Sequence, residues 1–215
     1  MASIKAGFET ARKELEKEGK VEYYARGQRS VVYTCTYKGR KSIAKVEKKE
    51  SNAKFRLENE AKWLKALNKK GIGPELYACG TGYIVCEFIK GKRIAEWLSS
   101  AKAGPIKKAL LGIFSQCRVM DKMLVTKEEM HRPLKHIILF GGKPRMIDFE
   151  RCHSTEKPQN VTQFCQFLMS RDIHPILEGK GIKFSNEKLI ALLRQYRETP
   201  DEKAFLKLVS LLRLQ

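Results

Sequence analysis

Lys135-His136-Ile137-Ile138-Leu139-Phe140-Gly141-Gly142-Lys143-Pro144-Arg145-Met146-Ile147-Asp148-Phe149-Glu150 contains two apolar runs, Ile137 to Phe140 and Met146-Ile147, on either side of a Gly-Gly-Lys-Pro turn. Apolar runs separated by such punctuation predict a β-hairpin. Asp148, followed by Phe149, stands where the second strand ends. A carboxylate delivered from a strand end, beside the basic pair Lys135-His136 at the strand start, suits holding a metal ion on a phosphate chain. An Asp-Phe pair is common by chance, so the weight of this reading rests on what lies upstream.

Upstream, the connections are short and the segments extended. Val21 to Arg26 begins a strand, Gly27-Gln28-Arg29-Ser30 turns it, and Val31 to Tyr37 returns. Lys38-Gly39-Arg40-Lys41 is a second hairpin turn, and Ser42 to Val46 is the next strand, so three antiparallel strands are predicted in succession. Ser51 to Lys69 carries Phe55, Leu57, Ala61, Leu64 and Leu67 at helical spacing and ends before Gly71 and Gly73. Pro74–Gly80 and Gly82–Phe88 read as two further strands. The Gly-containing connection Ile89-Lys90-Gly91-Lys92 marks a boundary, beyond which the chain reads as mainly helical. Helices are predicted over 94–100, 106–123, 162–169, 186–196 and 201–212, and a charged amphipathic helix over 5–19 precedes the first strand. This gives an α+β, two-lobed layout. Residues 1–88 form a lobe of the leading helix, a sheet and one further helix, and residues 89–215 form a short, mainly helical half that carries the hairpin.

Composition narrows the class. A chain of 215 residues is long enough to bury a substantial core. No window approaches eighteen apolar residues, so no membrane span is expected. The first residues lack the apolar centre of a signal peptide, so a cytosolic protein is the expectation. Six cysteines without a CxxC pair are expected to be reduced and buried. Cys152, His153 and Cys165 match no recurring metal spacing, so no structural zinc is expected. Lys and Arg outnumber Asp and Glu by 43 to 24, a net charge of +19. That excess favours polyanions, and RNA or a ribonucleoprotein is one expected partner; solvated lysine-rich helices are the plain alternative. Trp63 and Trp97 read as core residues. Arg145, Arg151 and Lys157, around Asp148, suit either an anionic partner or a solvated rim.

Phosphoryl transfer needs donors over the phosphates, a cation on their oxygens and a carboxylate for magnesium. In the first hairpin, Gly27 and Ser30 allow backbone N–H groups and a hydroxyl close to a phosphate, although Gly-x-x-Ser also occurs in ordinary turns. Lys45, within Ile43-Ala44-Lys45-Val46, faces either solvent or a site. Glu60 on the following helix can pair with it, with Glu58 as the competitor.

The order of these parts resembles the protein-kinase-like fold, and most closely the small atypical kinases of the RIO type and the kinase of the KEOPS tRNA-modification complex. In particular it looks like a group of archaeal predicted serine/threonine kinases. Gly27 to Tyr33 resembles a shortened phosphate-covering loop, Ala44-Lys45 the lysine strand and Glu60 its helix partner. Cys86 to Gly91 resembles the adenine-binding hinge, which implies cofactor contacts at Glu87 and Phe88. Ile147 to Glu150 resembles the metal-binding Asp-Phe-Gly, with Glu150 in place of glycine. The resemblance covers roughly residues 20 to 170. It implies ATP and Mg2+ as cofactors and a protein substrate, possibly the chain itself.

The departure is in the catalytic loop. Counting back from the hairpin, the family's metal-binding asparagine falls on His136 and its basic aspartate on His131. Laying His131-Arg132 on the family's His-Arg instead puts the aspartate on Pro133, which cannot serve. In the first register His131 is the candidate base, since its ordinary pKa lies near neutrality. Glu129 or Glu128 is a substitute, and Lys135 is a candidate to steady the transferred phosphate. His136 takes a metal position although magnesium prefers oxygen donors, and both histidines also suit a purely structural role. Three functions are therefore in play. The first is an ATP-dependent serine/threonine protein kinase, and the second is an ATP-binding pseudokinase or slow ATPase working as an RNA-associated module. The third, a small-molecule kinase, is disfavoured by the short helical half.

Overall fold

A computed structural model describes residues 9, 12, 13, 15–48 and 56–214. The start of the predicted leading helix, with Ala6, Phe8 and Ala11, lies outside them, as do Ser51 to Phe55 of the second predicted helix. The chain divides into two compact units: the first runs to Ile89 and includes Ile147–Cys152, and the second comprises Lys90–Met146 and the chain from His153 onward.

The first unit is built on a five-stranded antiparallel sheet of β1 (Glu22–Arg26), β2 (Ser30–Tyr37), β3 (Arg40–Glu47), β4 (Leu76–Gly80) and β5 (Tyr83–Glu87), in the order β1-β2-β3-β5-β4. Side chains alternate across a strand, and β3 shows the consequence. Ala44 and Val46 pack on the side holding Leu15, Cys35 and Val85. Lys45, between them, is turned to the other side, where helix α1 (Arg56–Asn68) lies against the sheet. Leu57, Ala61, Leu64 and Leu67 of α1 are buried, and so is Trp63. The helix stops where Gly71 and Gly73 take positive φ angles of 69° and 83°. Gly73 is required for a second reason: a Cβ there would stand 2.8 Å from the Leu64 side chain and 2.9 Å from the Phe149 ring. Phe149, which follows the strand-end aspartate, is therefore a core residue of this unit.

The second unit contains helices α2 (Ile94–Ser100), α3 (Ala103–Lys122), α4 (Asn160–Leu168), α5 (His174–Gly179), α6 (Asn186–Glu198) and α7 (Glu202–Leu211). A three-stranded sheet of β6 (Lys92–Arg93), β8 (Ile137–Phe140) and β9 (Lys143–Met146) includes the predicted hairpin, with Ile137 opposite Met146 and Phe140 opposite Lys143. β7 (Val125–Thr126) pairs with β10 (His153–Ser154). Helix α3 begins at Ala103, earlier than the apolar spacing predicts, because Pro105 is compatible with a first helical turn. The two-residue strands β6, β7 and β10 and helix α5 are absent from the sequence expectation; elements this short carry no readable period. The core centres on α3 and α4, where Phe114 meets Phe164 edge to face at a centroid distance of 5.1 Å and Phe164 stacks on Phe167 at 5.7 Å. No helix among the described residues is long and apolar enough to cross a membrane.

Of the six cysteines, five are buried and one, Cys79, is exposed, which corrects the expectation that all are core residues. It occupies β4, one of the two edge strands of the first sheet.

Candidate active site

The first unit brings together three residues singled out from the sequence. The Lys45 ammonium donates to both carboxylate oxygens of Glu60, at 2.7 and 2.9 Å, and lies 3.9 Å from the carboxylate of Asp148. Glu60, and not Glu58, is the partner; Glu58 instead accepts the Gly82 N–H at 2.9 Å. The choice follows from helical spacing, since Glu60 shares the buried face of α1 with Leu57, Ala61 and Leu64, and is itself only 1% exposed.

Burial disfavours a charged Lys45 and is the largest effect on it. The field of Glu60, followed by that of Asp148, more than offsets this, so its pKa lies above the ordinary lysine value. The pair is thus a buried ion pair whose lysine stays cationic at neutral pH. Glu60 also accepts the N–H of Phe149 at 3.3 Å, tying the helix to the residue after Asp148. Asp148 has φ 66°, a left-handed conformation that Asp tolerates better than most residues. Such backbone persists where surrounding contacts over-determine it. Those contacts are visible here: Asn59 Nδ2 donates to the carbonyls of Glu150 and Cys152, each at 2.9 Å.

Asn59 was invisible to sequence reasoning. Its neighbours Glu58 and Glu60 draw attention as charges, but nothing local signals that an amide between them grips a loop some ninety residues away. Arg29 escaped for the same reason. Its guanidinium donates to Glu150 at 2.6 Å, so the tip of the β1–β2 turn touches the residue that stands where the kinase pattern has glycine.

Several N–H groups of the turn and of the Glu87–Phe88 segment are already employed within the fold. The N–H of Gly27 is donated to the Ser30 carbonyl at 2.9 Å, closing the turn, so it is not one of the donors facing a phosphate. Those of Glu87 and Phe88 are donated to the carbonyls of Glu75 (2.9 Å) and Lys41 (3.3 Å), because sheet pairing runs on past β5. A base held by this segment would use other backbone groups. The Phe88 ring meets Tyr24 edge-on at 5.8 Å and has the Lys41 ammonium 4.7 Å from its centroid.

In the second unit, the segment between β7 and β8 carries the remaining candidates. His136 Nε2 lies 3.7 Å from the Glu129 carboxylate, while His131 and Lys135 are exposed. Glu129 has φ 70° and Leu124 φ 56°. This segment is held from α4: the Lys127 N–H donates to Asn160 Oδ1 at 2.8 Å, and the Met130 N–H to Gln163 Oε1 at 3.0 Å. Asn160 Nδ2 in turn donates to the Val125 carbonyl and to buried Asp121, at 2.6 and 2.7 Å. Asp121 also accepts the backbone N–H of Asn160 and the hydroxyl of Tyr196, each at 3.0 Å.

The donor set can be tested against a metal. Among the described residues no three or more His, Cys, Asp or Glu side chains gather as a metal cage. Magnesium is commonly held by one or two carboxylates together with substrate phosphates. Asp148, one carboxylate beside a buried cation, fits a metal carried in on a phosphate chain.

The fold is protein-kinase-like. The chain is similar to the Rio2 kinase from Chaetomium thermophilum, solved as an ADP/Mg2+-phosphoaspartate complex, with a TM-score of 0.60 and 15% identity over 84% of this chain and 61% of that one. It is also similar to the autoinhibited serine kinase domain of the giant muscle protein titin, with a TM-score of 0.54 and 15% identity over 64% of this chain and 46% of that one. The chain thus spans less than two thirds of either structure's length. No family model matches the sequence, and no curated protein does so either.

Proposed function

We propose that this chain is an ATP-dependent phosphotransferase, an atypical serine/threonine protein kinase akin to the RIO and KEOPS kinases, using MgATP. The carrying observation is the Lys45–Glu60 ion pair with Asp148 3.9 Å from the same ammonium. Lys45, kept cationic and held by Glu60, would bind phosphate oxygens. Asp148 would hold Mg2+, which on binding supplies charge neutralisation along the phosphate chain. Ser30, at the start of β2, would add a hydroxyl donor, and the Glu87–Phe88 segment would border the base. Glu129, beside His136, and the exposed His131 are the groups able to take the acceptor's proton, while Lys135 would steady the transferred group. A protein hydroxyl, the chain's own included, is the acceptor this reading assigns.

Incubation with γ-labelled ATP and magnesium should label protein. Asp148→Ala and Lys45→Met should each lower labelling by about a hundredfold, a loss in keeping with removal of a preorganised charge, while Asp148→Ala still unfolds cooperatively, at a cost of about 1 kcal/mol for alanine in the left-handed backbone. Undiminished labelling by a folded Asp148→Ala protein would refute the assignment.

A second reading is favoured by the loop itself. Where kinases place aspartate and asparagine, this chain has His131 and His136, and His136 is turned towards a carboxylate. On that reading the protein binds nucleotide without turnover and serves as an RNA-associated module. Nucleotide binding with no labelling would select it.

A further inference from the structure

Glu150 departs from the kinase pattern, and the structure shows what it touches. Its carboxylate accepts from Arg29 at 2.6 Å, and the two side chains are only 16% and 22% exposed. Other ion pairs of this unit, such as Arg40–Glu75 and Lys20–Glu22, are more than half exposed and correspondingly weak. Both ends of the Arg29–Glu150 contact are secured. On one side, Asn59 fixes the Glu150 carbonyl to α1, one residue before Glu60. On the other, Lys48 Nζ donates to the carbonyls of Gly27 and Gln28, at 2.5 and 3.2 Å, and the Lys48 N–H donates to the Arg29 carbonyl at 2.9 Å. The β1–β2 turn is therefore not a loose hairpin tip. It is tied through one charged hydrogen bond to the segment two residues beyond Asp148.

Glycine at the position of Glu150 would leave the turn without this tie. A charge-assisted bond between largely desolvated groups is roughly twice as strong as a neutral one, and a guanidinium supplies it with fixed geometry. The neighbourhood makes the arginine matter further. Burial, then the charges of Glu58 and Glu150, push the Glu47 carboxyl up from its ordinary value. Without Arg29, Glu150 would face the Glu47 carboxyl with its counter-charge gone.

We infer that Glu150 is a positioning residue: through Arg29 it latches the β1–β2 turn to the Asp148 segment, and the latch sets how long a bound nucleotide stays. This rests on the nucleotide-binding reading above. Opening the latch frees the turn, so nucleotide leaves sooner; the latch makes no contact with the transferred group.

The test pairs two measurements on the full chain. Release of a fluorescent N-methylanthraniloyl ADP, followed by stopped flow, should be about tenfold faster in Glu150→Ala and in Arg29→Ala, as expected for loss of a charged hydrogen bond. The double variant should release no faster than Arg29→Ala, because the two side chains act as one unit. Arg29→Lys should restore part of the effect. Amide exchange of residues 27–30 and of Lys48, read without nucleotide, should rise in both single variants. Unchanged release, or single effects that add in the double variant, overturns the latch. So does unchanged exchange in Glu150→Ala. A wild-type protein that binds no fluorescent ADP overturns the nucleotide reading itself and with it the residence-time role. The exchange measurement tells the two failures apart, because it needs no ligand.

Discussion

Lys45 is held by a balance that a single residue type sustains. A lysine inserted among Ile43, Ala44 and Val46 would be expelled or neutralised without a partner, because desolvating an ammonium costs several kcal/mol. Glu60 supplies the partner within 2.9 Å, and the Asp148 carboxylate adds a second negative charge. Next to this charged centre the same burial has the opposite sense for thiols. Burial pushes Cys86 up to about 12, despite the lowering influence of Lys45, and Cys35 to about 11. Both stay protonated and unreactive at neutral pH. Native protein treated with a maleimide near pH 7 is therefore expected to take one label, on exposed Cys79, and six after denaturation. Mass spectrometry of the labelled peptides checks this, and early labelling of Cys86 would mean that the sheet opens readily.

Elements position what residues cannot position alone, and α4 shows how. Its first residue, Asn160, bonds Lys127 N–H, the Val125 carbonyl and Asp121 together. Asn160→Ala leaves three buried polar partners short of a bond, which is expected to cost about 3 kcal/mol. Urea unfolding measures it, and a loss below about 0.5 kcal/mol would mean that water replaces the amide. The elements themselves were largely legible in the sequence. Alternation in Val31 to Tyr37 marks β2, and helical spacing from Leu57 to Leu67 marks α1, because one face of each must be buried. The same helix carries Glu60 among its buried residues, a placement that decides between Glu60 and Glu58 only in the structure. Asn59, Arg29 and Asn160 were not legible. Each is an ordinary polar residue in a local window, and its partner lies 91, 121 or 33 residues away. Hydrogen bonding across such distances leaves no periodic trace. The segment from Cys86 to Gly91 was legible as a strand running into a connection, but the employment of its N–H groups depended on strand pairing that sequence does not display.

At the scale of the molecule, a net charge of +19 acts as a field and not as a set of contacts. It predicts binding to single-stranded RNA of arbitrary sequence that weakens more than about tenfold between 50 and 200 mM salt. Fluorescence anisotropy with a labelled oligonucleotide checks this, and salt-independent binding would show that the charge is not what meets the RNA. The chain's path through its two units has a different consequence. Leaving β9, it enters the first unit for Ile147–Cys152, then returns to the second at His153. Phe149 fills space beside Leu64 and Gly73 that residues up to 89 leave open. A gene cut once near codon 89 would thus divide the polypeptide but not the fold, since the first piece would lack part of its own interior. Recombination at that point could not hand the sheet to another helical half intact. The two halves have to be inherited together, or exchanged with three crossovers, one after codon 89 and one on either side of the six codons 147–152.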